Sequence, residues 1–125
     1  MSMFLSFWVL PIAFILHDFE EMILAPDWKR RDVATAGRVK HLFFGEVTHG
    51  PALCAGIAEE MFLLTAVSVI CGITYNTTLY LACCVAYTFH LLPHLAVCPL
   101  THSYVPGALT ALIELPFMVW HISVY

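Results

Sequence analysis

Charge is scarce in this sequence. Only 11% of its 125 residues are charged, whereas a soluble domain has about 25%. Hydrophobic residues make up 61% of the chain, and they occur in long runs. This composition argues against an ordinary soluble domain and indicates an integral membrane protein. The length suits one compact membrane domain, residues 1–125, and leaves no room for a second.

Basic residues are absent from every apolar run, because all five lie between Lys29 and Lys40. The positive-inside rule places this segment on the cytoplasmic side of a bacterial inner or plasma membrane, with both termini outside. A single short basic cluster beside a span argues against nucleic-acid binding. No basic residue precedes the first apolar run and no small-x-small site follows it, so we expect a span there and not a signal peptide.

Several motifs are missing as well. The five cysteines form no C-x-x-C pair and are interpreted as small packing residues. No serine or cysteine stands at a suitable spacing from a base, which argues against covalent acyl catalysis. The apolar runs show no alternation at period two, which argues against strands.

The apolar runs predict an all-α bundle of four transmembrane helices, since each is long enough at about 20 residues per crossing. An interfacial helix is expected between the first two spans, from Pro26 to about residue 44. Asn76 is expected to start the third helix, and the Pro106-Gly107 pair to mark the turn into the fourth. The predicted spans are residues 3–24, 51–71, 77–97 and 104–124.

Ionisable residues nevertheless occur inside all four spans. With a helical rise of about 1.5 Å per residue, the ionisable residues of all four spans are expected at similar depths, in the cytoplasmic half of the bilayer. Five unpaired glutamates, at about 2.5–3.5 kcal/mol each, would cost on the order of 12–17 kcal/mol. That exceeds the stability of most domains, about 5–15 kcal/mol. Because the basic residues lie outside the spans, metal cations are the predicted partners, with protonation as the alternative.

The spacing of these residues supports one shared metal site. His17 lies three and four residues before Glu20 and Glu21, so the three side chains share a helix face. His90 and His94 are also four residues apart and share a face. The predicted metal ligands are His17, Glu20, Glu21, Glu59, Glu60, His90, His94 and Glu114.

Other polar residues are assigned supporting roles. Glu59 and Glu60 are adjacent and diverge by about 100° around a helix, so one is expected to bind metal and the other to act nearby. His102 is expected at the mouth of the site, as a ligand or a polar lid. Asp18 is expected to point away from the face of His17 and Glu21 and to cap or hydrogen-bond nearby. His121 is expected to lie at the membrane interface. The predicted catalytic residues are Glu59, Glu60 and His102.

A family resemblance rests on three stretches. HDFEE at residues 17–21 is an H-x-x-E-E motif, residues 59–60 are a Glu pair, and YVPGALT spans residues 104–110. Together they resemble the small membrane family named for its HXXEE motif, whose function is not established. The resemblance covers most of the chain and implies an integral membrane protein. The ligand types are also similar to those of ferritin-like di-iron proteins, although the order there is E-x-x-H.

Carboxylates and imidazoles without thiolates suit hard metals and oxygen chemistry. The predicted function is a metal-dependent enzyme in the membrane, first a dinuclear, di-iron-type oxidoreductase or oxygenase acting on a lipophilic small molecule from the cytoplasmic leaflet. One or two ions are expected, iron first, with zinc or manganese as alternatives. A zinc-dependent intramembrane hydrolase and a proton- or metal-coupled transporter remain as alternative functions. The expected partners are the lipid bilayer and a lipophilic or amphipathic substrate, and a homo-oligomer is compatible with the sequence.

Overall fold

The computed structural model describes residues 3–30 and 50–125, which contain helices and turns and no strand. The all-α prediction is confirmed for this part of the chain. A short helix, α1, precedes four long helices, α2 to α5. The helices are α1 Met3–Ser6, α2 Val9–Arg30, α3 Gly50–Thr74, α4 Thr77–Thr101 and α5 Ala108–Ser123.

The four long helices pack as a closed ring. Helix α2 packs against α3 and α5, while α4 packs against α3 and, most extensively, against α5. The short connections at residues 75–76 and 102–107 make α3 and α4, and α4 and α5, antiparallel neighbours, as in up-and-down bundles. Apolar side chains from all four helices fill the centre, among them Phe14, Ile57, Leu91 and Met118. Helices α2 and α4 therefore face each other across the bundle.

Helices α4 and α5 meet along a seam that repeats every seven residues. Because the helices are antiparallel, residue numbers rise along one helix as they fall along the other. A seven-residue repeat is typical of helices packed like a left-handed coiled coil. Three pairs form the seam: Tyr80 with His121, Tyr87 with Glu114, and His94 with Gly107. Polar groups therefore line this seam from one end of the bundle to the other.

Some helix boundaries differ from the predicted spans. The first span is divided, because α1 ends at Ser6 and α2 begins at Val9. Pro26 lies inside α2, which continues to Arg30, so the helix passes through the predicted start of the interfacial helix. The remainder of that prediction, and most of the basic segment, lie outside the described residues. Asn76 caps α4 as predicted, since its side chain accepts a hydrogen bond from Leu79 N at 3.0 Å.

Within residues 3–30 and 50–125, two helices are long and apolar enough to cross a membrane, by their length and composition: Gly50–Thr74 and Thr77–Leu100. Only 11% and 28% of the residues in their most apolar windows are buried inside the chain. Large exposed apolar surfaces are rare on soluble monomers and are normally covered by lipid or protein. This part of the chain therefore supports membrane association. Helix α5 is apolar but shorter.

Candidate metal centre

Four predicted site residues converge across the middle of the bundle. His17 and Glu21 of α2 face His90 and His94 of α4, and one potential ligand atom from each lies within 4.8 Å of the others. Three of these residues are buried, and His90 is exposed. The spacing of four residues on each helix places both members of each pair on one face. A buried His–Glu cluster able to hold a metal ion is therefore present.

Three atoms of this cluster form a small triangle. His17 Nε2 and His94 Nε2 are 3.2 Å apart. Glu21 Oε1 lies 3.0 Å from His94 Nε2 and 3.3 Å from His17 Nε2. This oxygen is buried and accepts no hydrogen bond from the described residues. A triangle of this size can surround one cation at about 2.0–2.2 Å from each atom, the ligand distance of zinc.

The protonation of His94 follows from its second nitrogen. His94 Nδ1 lies 2.9 Å from the backbone carbonyl oxygen of Pro106. A carbonyl oxygen only accepts hydrogen bonds, so Nδ1 must carry the proton. In the neutral imidazole, Nε2 then presents a lone pair to the triangle.

The same reasoning applies to His17. Its Nδ1 lies 2.8 Å from Thr110 Oγ1. The Thr110 hydroxyl donates its single proton to Glu20 Oε2 at 2.5 Å, with the carbonyl oxygen of Gly107 as a second acceptor at 3.2 Å. Either choice leaves the hydroxyl oxygen to accept from His17 Nδ1–H. In the neutral imidazole, His17 Nε2 then also presents a lone pair to the triangle.

If both imidazoles are neutral, two nitrogen lone pairs and a carboxylate oxygen face one another at about 3 Å. Such contacts would repel, and a cation at their centre, either a metal ion or a proton, would remove the repulsion. Histidines that bind metals usually donate their other ring N–H to a carbonyl or a similar acceptor, as His94 and His17 do. The residues therefore fit a divalent ion, and imidazole with carboxylate suits zinc, iron or manganese.

Glu20 lies outside this triangle and binds the start of α5. Its two carboxylate oxygens accept hydrogen bonds from Leu109 N at 3.3 Å and Thr110 N at 2.8 Å. The N-cap residue of α5 is Gly107, which has no side chain to cap the helix. Glu20 therefore supplies the cap from a neighbouring helix and places its negative charge at the positive end of the helix dipole.

The other predicted site residues are also outside the four-residue cluster. Glu114 is buried and accepts a hydrogen bond from Tyr87 O–H at 2.6 Å. Glu59 and Glu60 are exposed on α3. His102 ends α4 with a left-handed backbone, φ 49°, and its side chain is exposed.

An open groove adjoins the exposed edge of the cluster. It has a volume of about 280 Å³ and lies between α3 and α4, above Phe14 of α2. Glu60 and His90 are at one end, and apolar residues form most of the remaining wall. The lining residues are Phe14, Glu60, Leu63, Leu64, Cys83, Ala86, Tyr87 and His90. Glu59 is not among them, so the two adjacent glutamates have different surroundings.

Two further polar residues differ from the sequence predictions. His121 is only 1% exposed and its Nε2 lies 2.9 Å from the Tyr80 hydroxyl oxygen, so it is buried and not interfacial. Tyr80 donates to the Ser6 carbonyl oxygen at 2.8 Å, which ties α1 to this end of the bundle. Asp18 is buried, and its Oδ2 has no partner among the described residues.

Sequence reasoning missed two residues that shape the centre, Thr110 and Gly107. Both lie in the YVPGALT stretch, where the sequence predicted the turn at Pro106-Gly107, which the structure confirms, but no role of either residue at the metal centre. Gly107 has φ +90°, and a Cβ there would overlap His94 Nδ1 and lie 2.9 Å from His17 Cε1. The signal available in the sequence was the position of Gly107, seven residues before Glu114 and next to the expected end of the preceding helix.

Thr110→Val is expected to weaken metal binding by about 10–100-fold, the usual effect of losing a partner that orients a metal-bound histidine. Valine keeps the shape of the side chain but cannot accept the proton of His17 Nδ1. Competition with a chelator of known affinity measures the change. The control is Thr65→Val, which removes a hydroxyl bonded only to the Met61 carbonyl oxygen within α3. Equal affinities in the two variants would contradict the proposed role of Thr110.

Comparison with known proteins supports the family resemblance. A family model described as a protein of unknown function with HXXEE motif matches residues 8–121. Neither the curated proteins nor the solved structures gave a match. The matched region includes the HDFEE motif, the Glu pair and the turn before α5. The chain therefore belongs to the HXXEE family of proteins of unknown function.

Proposed function

We propose that this chain is a membrane-embedded enzyme that uses one divalent metal ion to hydrolyse a lipophilic or amphipathic small molecule. The proposal rests on one observation. Three potential ligand atoms, His17 Nε2, His94 Nε2 and Glu21 Oε1, converge within about 3 Å of one another, beside a groove that contains the carboxylate of Glu60.

One ion fits the arrangement better than two. Dinuclear carboxylate sites in helical bundles use about four glutamates and two histidines. Here Glu20 caps α5 and Glu114 is bonded to Tyr87. Glu21 is the only glutamate within the four-residue cluster of the described chain. For Glu20 or Glu114 to bind a second ion, each would have to leave these partners.

The proposed roles follow from position. His17, His94 and Glu21 would hold the ion, and His90 would complete its surroundings or contact the substrate. When bound, the ion would polarise a substrate carbonyl and activate a water molecule. Glu60 would act as the general base that takes the proton from that water, because it lines the same groove as His90 and is not committed to the cluster.

The membrane arrangement is part of the proposal. Helices α3 and α4 would cross the bilayer, and α2 and α5 would complete a four-span bundle. The basic segment would then face the cytoplasm, with both termini outside. The metal centre would lie in the cytoplasmic half of the bilayer, where a substrate from the lipid phase can reach the groove from the side.

Glu60→Gln is expected to lower the hydrolytic rate by about 100-fold or more, the usual contribution of a general base, without loss of metal. The assay is hydrolysis of 4-nitrophenyl octanoate by zinc-loaded protein in detergent. The control is Glu59→Gln, the same change one residue away and outside the groove, which should retain activity within about threefold. Similar losses in both variants, or in neither, would remove Glu60 from the mechanism.

An iron-dependent oxidoreductase, which the sequence alone favours, is the second candidate. Two imidazoles and one carboxylate form the ligand triad of non-haem iron oxygenases, and this observation supports it. Such a reaction would need dioxygen and an electron donor as co-reactants. Optical spectra of iron-loaded protein, taken before and after addition of oxygen, separate the candidates. An oxygen-dependent change that His94→Ala abolishes, with zinc-loaded protein inactive, would replace hydrolysis by oxidation.

A further inference from the structure

The groove between α3 and α4 carries information about the substrate. We infer that the enzyme acts on an acyl ester or amide with a single hydrocarbon chain, and that this chain lies in the groove during hydrolysis. This inference rests on the proposed function. In the reaction, water oxygen bonds to the acyl carbon and the bond to the ester oxygen or amide nitrogen breaks. The leaving group takes a proton, so the products are a carboxylic acid and an alcohol or amine.

The groove is polar at one end and apolar along its length. Glu60 on α3 and His90 on α4 lie at the same end, because the helices are antiparallel. Further along, Leu63, Leu64 and Ala86 provide apolar walls. This gradient matches a molecule with one polar group at the end of a hydrocarbon chain. The polar group would be next to the metal centre, where the reacting bond must be.

The size of the groove limits the substrate to one chain. Its volume of about 280 Å³ is at the lower end for ligand pockets, which have about 300–1,000 Å³. A methylene group takes up roughly the space of a water molecule, about 30 Å³, so about nine or ten methylenes would fill the groove. A second chain of that length would have to lie outside it.

The way the helices pack provides a route of entry. Helix α3 packs less closely against α4 than α5 does, and few residues in the apolar window of α3 are buried. The groove is therefore open at the side that would face lipid. A single-chain amphiphile can enter from the bilayer with its chain already in an apolar medium, so it does not have to cross water.

The groove wall offers a substitution that should change chain-length preference without touching the metal centre. Ala86 is a small residue in the wall on α4, so phenylalanine at this position would fill part of the groove. Ala82 is exposed on the same helix, outside the groove. Ala82→Phe is therefore the matched control, because it adds the same side chain to the same helix.

The experiment measures binding of straight-chain alkyl hydroxamates with 2 to 14 carbons to cobalt-loaded protein in detergent. Hydroxamates bind metals, so the visible absorption of cobalt reports their binding. Relative to the shortest compound, affinity should rise up to about fourfold per methylene and level off near about ten carbons. Ala86→Phe should bind the ten-carbon compound at least about tenfold more weakly than Ala82→Phe. The four-carbon compound should bind both variants alike. For each compound, the affinity of one variant is divided by that of the other, because partition of the compound into detergent affects both affinities equally.

The outcomes separate the inference from the proposed function. If cobalt does not bind, the metal enzyme itself is refuted. If cobalt binds but affinity does not depend on chain length, or the two variants behave alike, the substrate class is wrong and the metal centre stands. Should Ala86→Phe fail to fold, Cys83→Phe places the same bulk further along the groove and is judged by the same comparison with Ala82→Phe.

Discussion

His94→Ala is expected to reduce bound metal from about one ion per chain to less than about 0.1, since a structured metal site needs its full set of deprotonated ligands. His94 Nε2 is 3.2 Å from His17 Nε2 and 3.0 Å from Glu21 Oε1, so its removal opens the triangle. Elemental analysis of protein purified without an affinity-tag metal measures the content. Glu21→Ala should behave in the same way.

The matched control is His102→Ala, which removes an exposed imidazole outside the cluster. It should retain about one ion per chain. A second measurement distinguishes lost ligation from a damaged fold. A ligand that binds only the folded chain raises its stability by mass action, so added zinc should raise the melting temperature of wild type and His102→Ala but not of His94→Ala. Full metal content in His94→Ala would refute the site.

The residues that form the triangle were predictable from local spacing. His17 and Glu21, and likewise His90 and His94, are four residues apart in apolar helices, which places each pair on one face. The energetic cost of unpaired charge in an apolar segment then requires the two faces to meet or to bind a cation. The first step needs only the period of a helix, and the second only the cost of charge in an apolar segment. The convergence of these residues agrees with that reasoning.

The placement of Glu20 depends on a feature that local spacing does not contain. Glu20 and Glu21 both follow His17 closely, and both were predicted to bind metal. In the structure, Glu20 instead accepts hydrogen bonds from Leu109 N and Thr110 N. The cause lies nearly ninety residues away, where Gly107 leaves α5 without a cap of its own. That Glu20 supplies this missing cap becomes visible only when the packing of α2 against α5 is known.

The orientation of α3 about its own axis was also not predictable from the sequence. This helix is apolar on nearly all sides, so its sequence does not indicate which face packs inward. In the structure Ile57, Ser68 and Cys71 face inward, which leaves Glu59 exposed and brings Glu60 to the edge of the groove. The sequence predicted different roles for the two glutamates from their 100° divergence. It did not indicate which of them would reach the groove.

The polar seam between α4 and α5 could also not be recognised from either helix alone. Tyr80 and Tyr87 are seven residues apart, as are Glu114 and His121, and in an apolar run each looks like an isolated polar residue. Once α4 and α5 are antiparallel neighbours, Tyr80 meets His121 and Tyr87 meets Glu114. A buried polar residue is stable when its hydrogen bonds are satisfied. This explains why His121 is buried inside the bundle.

The third position of the seam supports the last prediction. Gly107→Ala is expected to abolish metal binding and to lower the free energy of unfolding by about 2–5 kcal/mol. A residue with a Cβ in a left-handed conformation costs about 1–2 kcal/mol, and overpacking adds about 1–3 kcal/mol. The new methyl group would overlap His94 Nδ1, lie 2.7 Å from His94 Cε1 and 2.9 Å from His17 Cε1. Both rings of the proposed metal site would have to move.

Gly56→Ala is the matched control, because a Cβ at Gly56 meets no atom within 4 Å and the residue lies within α3. Alanine there should raise the free energy of unfolding by about 0.5–1 kcal/mol, since glycine inside a helix is unfavourable. Metal content and detergent unfolding curves are compared for the two variants. The shift in metal content separates the two possible effects of Gly107→Ala, because a weakened turn alone would lower stability while leaving one ion per chain. Retention of metal at wild-type affinity would mean that Gly107 does not position His94.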